Sequence, residues 1–219
     1  ELAGTGVIRI PMVLETGEVG DKSYILMEFI ESGQPGKDFS KRFGQQLAAL
    51  HRTTAKDFGY KIDNYIGSLP QYNAPNSTAA EFYISQRLEP QFKMARERGY
   101  NLGDISFLYK KCEELIPKEP PALVHGDLWG GNYIVDQNGD PCLIDPAVAF
   151  APREMDLGMM KLFGGFDRKI FTSYHENFPL ERGFEERVPL WQLYYLLVHL
   201  NIFGSGYKSQ VAAILKQYS

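Results

Sequence analysis

The spacing of apolar and polar positions divides the chain into short strands near its start and helices over most of the remainder. Val7 to Glu15 and Ser23 to Ile30 read as two strands, with Gly17 to Asp21 as the turn between them. The second run, Tyr24-Ile25-Leu26-Met27-Glu28-Phe29-Ile30, is mostly apolar, the pattern of a covered strand. Two strands alone make a marginal sheet. They are therefore expected to pack on the rest of the protein through Ile10, Val13, Ile25 and Met27. Glu31 to Gly36 is rich in breakers and reads as the link between a small β lobe, 1–32, and a larger helical lobe, 33–219.

Asp38 reads as the N-cap of a helix with the stripe Phe39, Phe43, Leu47 and Leu50, running to about Ala55. His51 lies beside that stripe and reads as a structural histidine. Phe58 to Asn73 is long, aromatic and punctuated by glycine, the marks of an ordered functional loop. Thr78-Ala79-Ala80-Glu81 is a capping box, and the helix it opens should be kinked at Pro90. Asp104 opens a helix through Ile105, Leu108, Cys112 and Leu115, stopped by Pro117. Further helices are predicted from near Arg153 and over Arg168 to Asn177. A third, from Trp191 to Phe203, is apolar on most faces and so central. Gly204 and Gly206 end it, and Gln210 to Gln217 form a last helix.

The chemistry concentrates in Leu123-Val124-His125-Gly126-Asp127-Leu128-Trp129-Gly130-Gly131-Asn132. A buried strand, Pro121 to Val124, delivers His125, Gly126 and Asp127 into a tight loop that the glycines allow to turn. Asn132 follows Asp127 by five positions, the spacing at which a kinase catalytic loop places its base and a magnesium-binding amide. Tyr133-Ile134-Val135 and Cys142-Leu143-Ile144 flank Asn138-Gly139, a two-residue hairpin signal. That hairpin ends at Asp145 and sets it beside Asn132, two oxygen donors suited to a hard cation. The set predicts a phosphoryl-transfer centre, with Asp127 taking the proton of an attacking hydroxyl.

Composition narrows the picture without redirecting it. The chain has 219 residues, 44% hydrophobic and 23% charged, as ordinary globular proteins do. A net charge of −4 gives no basic footprint for nucleic acid. No apolar run reaches membrane-spanning length, and the start lacks the features of a signal peptide, so a cytoplasmic protein is expected. Cys112 and Cys142 lack the spacing of a metal site and read as buried thiols. Oligomeric state is not legible.

Several segments are specific enough to carry a resemblance. They are Asn64-Tyr65-Ile66-Gly67-Ser68-Leu69-Pro70-Gln71, Glu81-Phe82-Tyr83, Arg87-Leu88, Pro90-Gln91 and the His125–Asn132 loop. Ile144-Asp145-Pro146-Ala147, Arg153 to Leu157, Leu162 to Phe166 and His199 to Gly204 complete them. With these the whole chain resembles the fructosamine kinase (ketosamine-3-kinase) family of the protein-kinase-like superfamily.

The resemblance implies an α+β, two-lobed fold and transfer of the ATP γ-phosphate, with Mg2+, to the 3-hydroxyl of a ketosamine. The acceptor is a free ketosamine or a glycated lysine, and the phosphorylated adduct decomposes, so the role implied is deglycation repair. Asp127 is then the base, Asn132 and Asp145 the metal ligands, and His125 and Asp156 brace the loop. The backbone of Glu28, Phe29 and Ile30 meets the adenine, with Ile134 in the same nucleotide set. Trp129, Tyr65 and Gln71 fall to the acceptor side, with loop packing as the other reading of Tyr65 and Gln71.

Two departures stand out. Ala151-Pro152 replaces the family's Gly-His, and the glycine-rich loop, phosphate-binding lysine and its glutamate should precede Glu1, since Lys22, Lys37 and Lys41 lack the strand context. The 219 residues by themselves are therefore expected to be inactive. The other readings are a related small-molecule kinase, of the aminoglycoside or choline type, and a degenerate non-catalytic relative.

Overall fold

The computed structural model describes residues 1–219. β1 (Val13–Val19) and β2 (Lys22–Met27) form an antiparallel hairpin around Gly20. β1 is shifted toward the turn from its predicted start at Val7, and Arg9 instead forms an isolated bridge with Cys142. The expected packing of this hairpin is corrected by the structure. Val13, Ile25 and Met27 are exposed, and every residue of β2 faces solvent. Only Ile10, ahead of the strand, packs against the core, together with buried Leu2 and Ile8. The stretch before β1 thus sits with the helical part, and no part of residues 1–219 covers β2.

The chain then passes through the breaker-rich link into α1 (Phe39–His51), which stops at Arg52 rather than Ala55. Asp38 precedes it without a side-chain cap. The aromatic loop contains a small hairpin, β3 (Asn64–Ile66) and β4 (Leu69–Gln71). Thr78 caps α2 (Ala79–Phe82) by accepting from the Glu81 N–H, while the Glu81 carboxylate takes the Ser77 hydroxyl. Ahead of Pro90 the helix widens into a π turn, Tyr83–Leu88, and resumes as α3 (Glu89–Glu97). Proline lacks the N–H that an interior turn needs, and the π turn absorbs the mismatch. α4 (Ser106–Leu115) follows, with Asp104 accepting from Ser106.

β5 (Ala122–Val124) pairs with β8 (Ala149–Ala151), and β6 (Tyr133–Val135) with β7 (Pro141–Leu143). The turn between β6 and β7 is longer than the two residues predicted. Asp136 caps it by accepting the Asn138 and Asp140 N–H groups, an Asx arrangement that competes with the tighter turn. α5 (Glu154–Leu162), α6 (Arg168–Asn177), α7 (Phe184–Phe203) and α8 (Lys208–Gln217) complete the chain. α7 is buried on most faces, as its sequence predicts. No helix is long and apolar enough to cross a membrane. Cys112 and Cys142 are free and buried.

Two apolar cores result. The larger surrounds α7, and the smaller gathers α1, α6 and Leu143. β5 lies on the seam between them. Ala122 and Val124 enter the larger core and Leu123 the smaller, as the alternation of a strand requires. The loop that leaves β5 is thereby anchored from both sides.

α1 and α6 approach closely because Gly44 has no side chain. A Cβ there would lie 2.4 Å from the Ile170 carbonyl oxygen and 2.7 Å from Ser173 Cβ. Gly44→Val should therefore cost roughly 3 kcal/mol, the upper range for overpacking a filled site. Urea unfolding should show a lower midpoint with an unchanged slope.

Candidate active site

The loop after β5 is fixed mainly through its backbone. His125 N–H and Gly126 N–H each donate to the Asp156 carboxylate at 2.8 Å. Gly126 has φ 85°, and a Cβ there would fall 2.0 Å from the Ala147 carbonyl oxygen, so only glycine fits. Tyr195 on α7 donates to the Gly126 carbonyl at 3.0 Å. Burial lowers the His125 pKa and keeps the ring neutral. Its Nε2 lies 2.8 Å from the Ile144 carbonyl and its Nδ1 accepts from the Asp127 N–H at 3.3 Å, which fixes the tautomer.

Asp156 is fully buried. Burial alone would raise its carboxyl pKa. The hydrogen bond from His51, the neighbouring His125 ring and the Gly126 N–H hold it below the usual carboxylate range instead. His51 Nε2 lies 3.1 Å from this carboxylate and Nδ1 lies 2.8 Å from the Tyr174 hydroxyl. The structural reading of His51 thus has a definite content: it is the buried partner of the loop's anchor.

Asp127 is half-buried and its carboxyl is pushed up to about 7. Burial is the main cause and the nearby Asp145 charge the second, opposed by the hydrogen bond from Asn132. The Asn132 amide donates to the Asp127 carbonyl at 2.8 Å, to its carboxylate at 3.2 Å and to the Asp145 carbonyl at 3.4 Å. One side chain therefore ties the three residues together and leaves its own oxygen without a protein donor. Asp145 is exposed, two residues past the end of β7, in the left-handed region at φ 52°. No three His, Cys, Asp or Glu side chains gather into a metal site. A carboxylate and an amide oxygen still suit Mg2+, which keeps waters and phosphate oxygens for its remaining positions.

On the link side, Gly33 N–H donates to the Val135 carbonyl at 2.8 Å, which joins the link to the β6–β7 hairpin. The Glu28 carboxylate is engaged by Arg9 at 2.7 Å, and Arg9 also reaches Asp136 at 2.6 Å. Phe29 is 87% exposed, Ile30 is buried and Ile134 is half-buried in β6.

On the opposite side Trp129 is exposed and folds over Gly131, whose Cβ would meet the ring at 2.3 Å. Tyr65 is exposed on β3. Gln71 is 2% exposed, and its amide is bonded to Asn64, Ala147 and Tyr194. It braces the loop from within. Phe163, His199 and Phe203 form an aromatic group missed in the sequence, with His199 at 4.9 Å from Phe163 and 5.4 Å from Phe203. Gly164 and Gly165, which follow Phe163 in the chain, meet Gly130 of the His125–Asn132 loop.

The family profile for fructosamine kinase matches residues 1–219. The chain belongs to the fructosamine kinase family. A probable ketoamine kinase of Enterococcus faecium is 41% identical over 96% of this chain and 77% of its own. The chloroplastic protein-ribulosamine 3-kinase of Arabidopsis thaliana is 38% identical over 98% of this chain and 68% of its own. A crystal structure of a candidate fructosamine-3-kinase from Haemophilus somnus has a TM-score of 0.91 at 26% identity, covering 99% of this chain and 75% of that one. The fold is the α+β protein-kinase-like one of that family, and its members are phosphotransferases. The Ala151-Pro152 departure leaves this geometry intact: Ala151 still pairs with Ala122 in the sheet beside the loop.

In this family member the Asp156 anchor should be visible as a pH-dependent stability. Asp156→Asn leaves a loop N–H facing an amide and should cost about 3 kcal/mol, as breaking a buried charge interaction does. The folded carboxyl lies below its unfolded value, so its contribution is complete above the unfolded pKa of about 3.9 and is lost as pH falls through the folded one. Urea unfolding should give a difference between the two proteins that is constant from about pH 7 to about pH 5 and narrows below about pH 4.

Proposed function

We propose that this chain is an ATP-dependent ketosamine kinase that phosphorylates the 3-hydroxyl of its substrate, as part of the repair of glycated amines. The observation that carries the reading is Asp127 itself. A half-buried carboxylate with a pKa near neutrality, tied by Asn132 to the Asp145 segment, is placed to receive a hydroxyl proton. Family membership supplies the acceptor class, since relatives named as ketoamine and ribulosamine kinases match nearly the whole chain.

In the reaction Asp127 would accept the proton of the attacking hydroxyl as the hydroxyl oxygen bonds to the γ-phosphorus, while the bond from that phosphorus to the β–γ bridging oxygen breaks and ADP leaves. Asn132, through its free amide oxygen, and Asp145, through its carboxylate, would hold Mg2+. Bound there, the cation would supply positive charge against the phosphates. The backbone of Glu28, Phe29 and Ile30, with Ile134, would seat the adenine. Trp129 would stack on the sugar-amine, and Tyr65 would border it. Gln71 supports this wall without touching the acceptor. The phosphorylated ketosamine then decomposes and releases its amine. A cytoplasmic site of action fits a substrate pool of sugars and free or protein-bound amines.

The direct test is turnover with ATP on fructosamine, ribulosamine and erythrulosamine acceptors, free and on lysine or protein, beside an aminoglycoside and choline. Turnover confined to ketosamines supports the reading. Preference for either other acceptor, or no turnover by the full-length protein, overturns it. In the same assay Asp127→Asn should lower kcat by roughly two to four orders of magnitude with little change in ATP binding. Retention of more than about a tenth of kcat removes Asp127 from the base role. Asp145→Ala should abolish turnover, and raising Mg2+ should rescue little.

A further inference from the structure

The residues from Ile144 to Val148 join β7 to β8 outside any strand, and the four from Asp145 onward make no backbone–backbone hydrogen bond. Proline at 146 has no N–H to offer. Asp145, the first of them, is held at φ 52°, an uncommon conformation for a residue with a side chain. A segment so short of backbone partners must be held by side chains. Every carbonyl from Ile144 to Val148 except that of Pro146 is taken by a side chain. His125 takes Ile144 at 2.8 Å, and Asn132 takes Asp145 at 3.4 Å. Gln71 takes Ala147 at 3.0 Å, and Asn64 takes Val148 at 2.8 Å.

The first two of these side chains belong to the catalytic loop. The other two belong to the β3–β4 hairpin and are themselves locked. Gln71 donates its second N–H to the Asn64 carbonyl oxygen at 2.8 Å and accepts from the Tyr194 hydroxyl at 2.9 Å. Asn73 adds a second donor to the Asn64 oxygen at 3.1 Å, and Arg87 in turn fixes Asn73 at 2.8 Å. Gln71 and Asn73 are almost fully buried, and Gln71 has both of its N–H groups and its oxygen engaged.

We infer that Gln71 and Asn64, fixed by Tyr194, are positioning residues for Asp145: the β3–β4 hairpin is a clamp that sets the metal-binding carboxylate. This rests on the reading of Asp145 as a metal ligand. It gives the Asn64–Gln71 segment a role distinct from lining the acceptor, and it couples α7 to the metal through one amide. Side chains that orient metal ligands from behind typically cost 10–100-fold in metal affinity when removed.

Mn2+ binding to the full-length protein with a non-hydrolysable ATP analogue, followed by electron paramagnetic resonance, tests this without turnover. Asp145→Ala is the reference and should lose most of the binding. Gln71→Leu should weaken Mn2+ about tenfold, and Tyr194→Phe, which removes one hydroxyl, about threefold. Tyr83→Phe removes a buried hydrogen bond to the Leu190 carbonyl elsewhere in the same core. It should lower Tm and leave Mn2+ affinity unchanged. If Gln71→Leu lowers Tm as Tyr83→Phe does but binds Mn2+ like the wild type, the clamp is only structural and the inference fails. Should Gln71→Leu not fold, unchanged Mn2+ affinity in Tyr194→Phe has the same force. Unchanged binding in Asp145→Ala would instead remove the metal ligand itself, a separate failure of the reading beneath.

Discussion

A buried carboxylate on α5, Asp156, holds two consecutive N–H groups of the loop that carries Asp127, and the rest of the site is arranged around that restraint. An ionised group at zero exposure is costly unless every lone pair is used. Here the acceptors are filled by His125 N–H, Gly126 N–H and His51. The same bonds that satisfy the charge immobilise the backbone before Asp127. The left-handed φ of Gly126 and its contact with the Ala147 carbonyl then bring the Asp145 segment against that loop.

The two cores make the restraint rigid. Leu123 and Val124 enter different cores, so displacing β5 would open both. Tyr195 from the larger core holds the Gly126 carbonyl, and Tyr174 from the smaller one holds His51. The geometry of this loop is thus set by packing that lies away from the Asp127 carboxylate. The Asp127 carboxylate is less constrained, hydrogen-bonded only by Asn132 and raised toward neutrality by burial and by Asp145. A base needs that combination of a fixed backbone and an available carboxylate.

Much of this was legible in the chain. The His125–Asn132 loop could be read because glycines, a buried strand and a following hairpin leave few ways to place Asp127, Asn132 and Asp145. The strong stripe of α1 was read to within a few residues, whereas α7 was recognised as a central helix but begins at Phe184, well before the predicted Trp191. What failed has a common cause. The Asn138-Gly139 signal indicated a tight turn, but Asp136 could cap a longer one, and local pattern does not rank the two. Apolarity suggested a covered β2, yet periodicity cannot name the covering surface, and its residues are exposed. Gln71 is a different case: loop packing and the acceptor side were both open in the sequence, because a glutamine in an aromatic loop does not reveal its partners, and its buried, bonded amide fits loop packing. Those partners, Ala147 and Tyr194, lie far along the chain. His51 carried no sign that Asp156 would meet it.

The central claim is that the Asp127 centre delivers phosphate to one hydroxyl of a ketosamine. The position of the new phosphate tests it most directly. Phosphorus and carbon magnetic resonance of the product from ATP and a ketosamine labelled with carbon-13 at C3, formed by the full-length protein, should show phosphorus coupled to the labelled carbon, and no such product from Asp127→Asn. Phosphate on another hydroxyl, or the same product from Asp127→Asn at a comparable rate, would contradict the account.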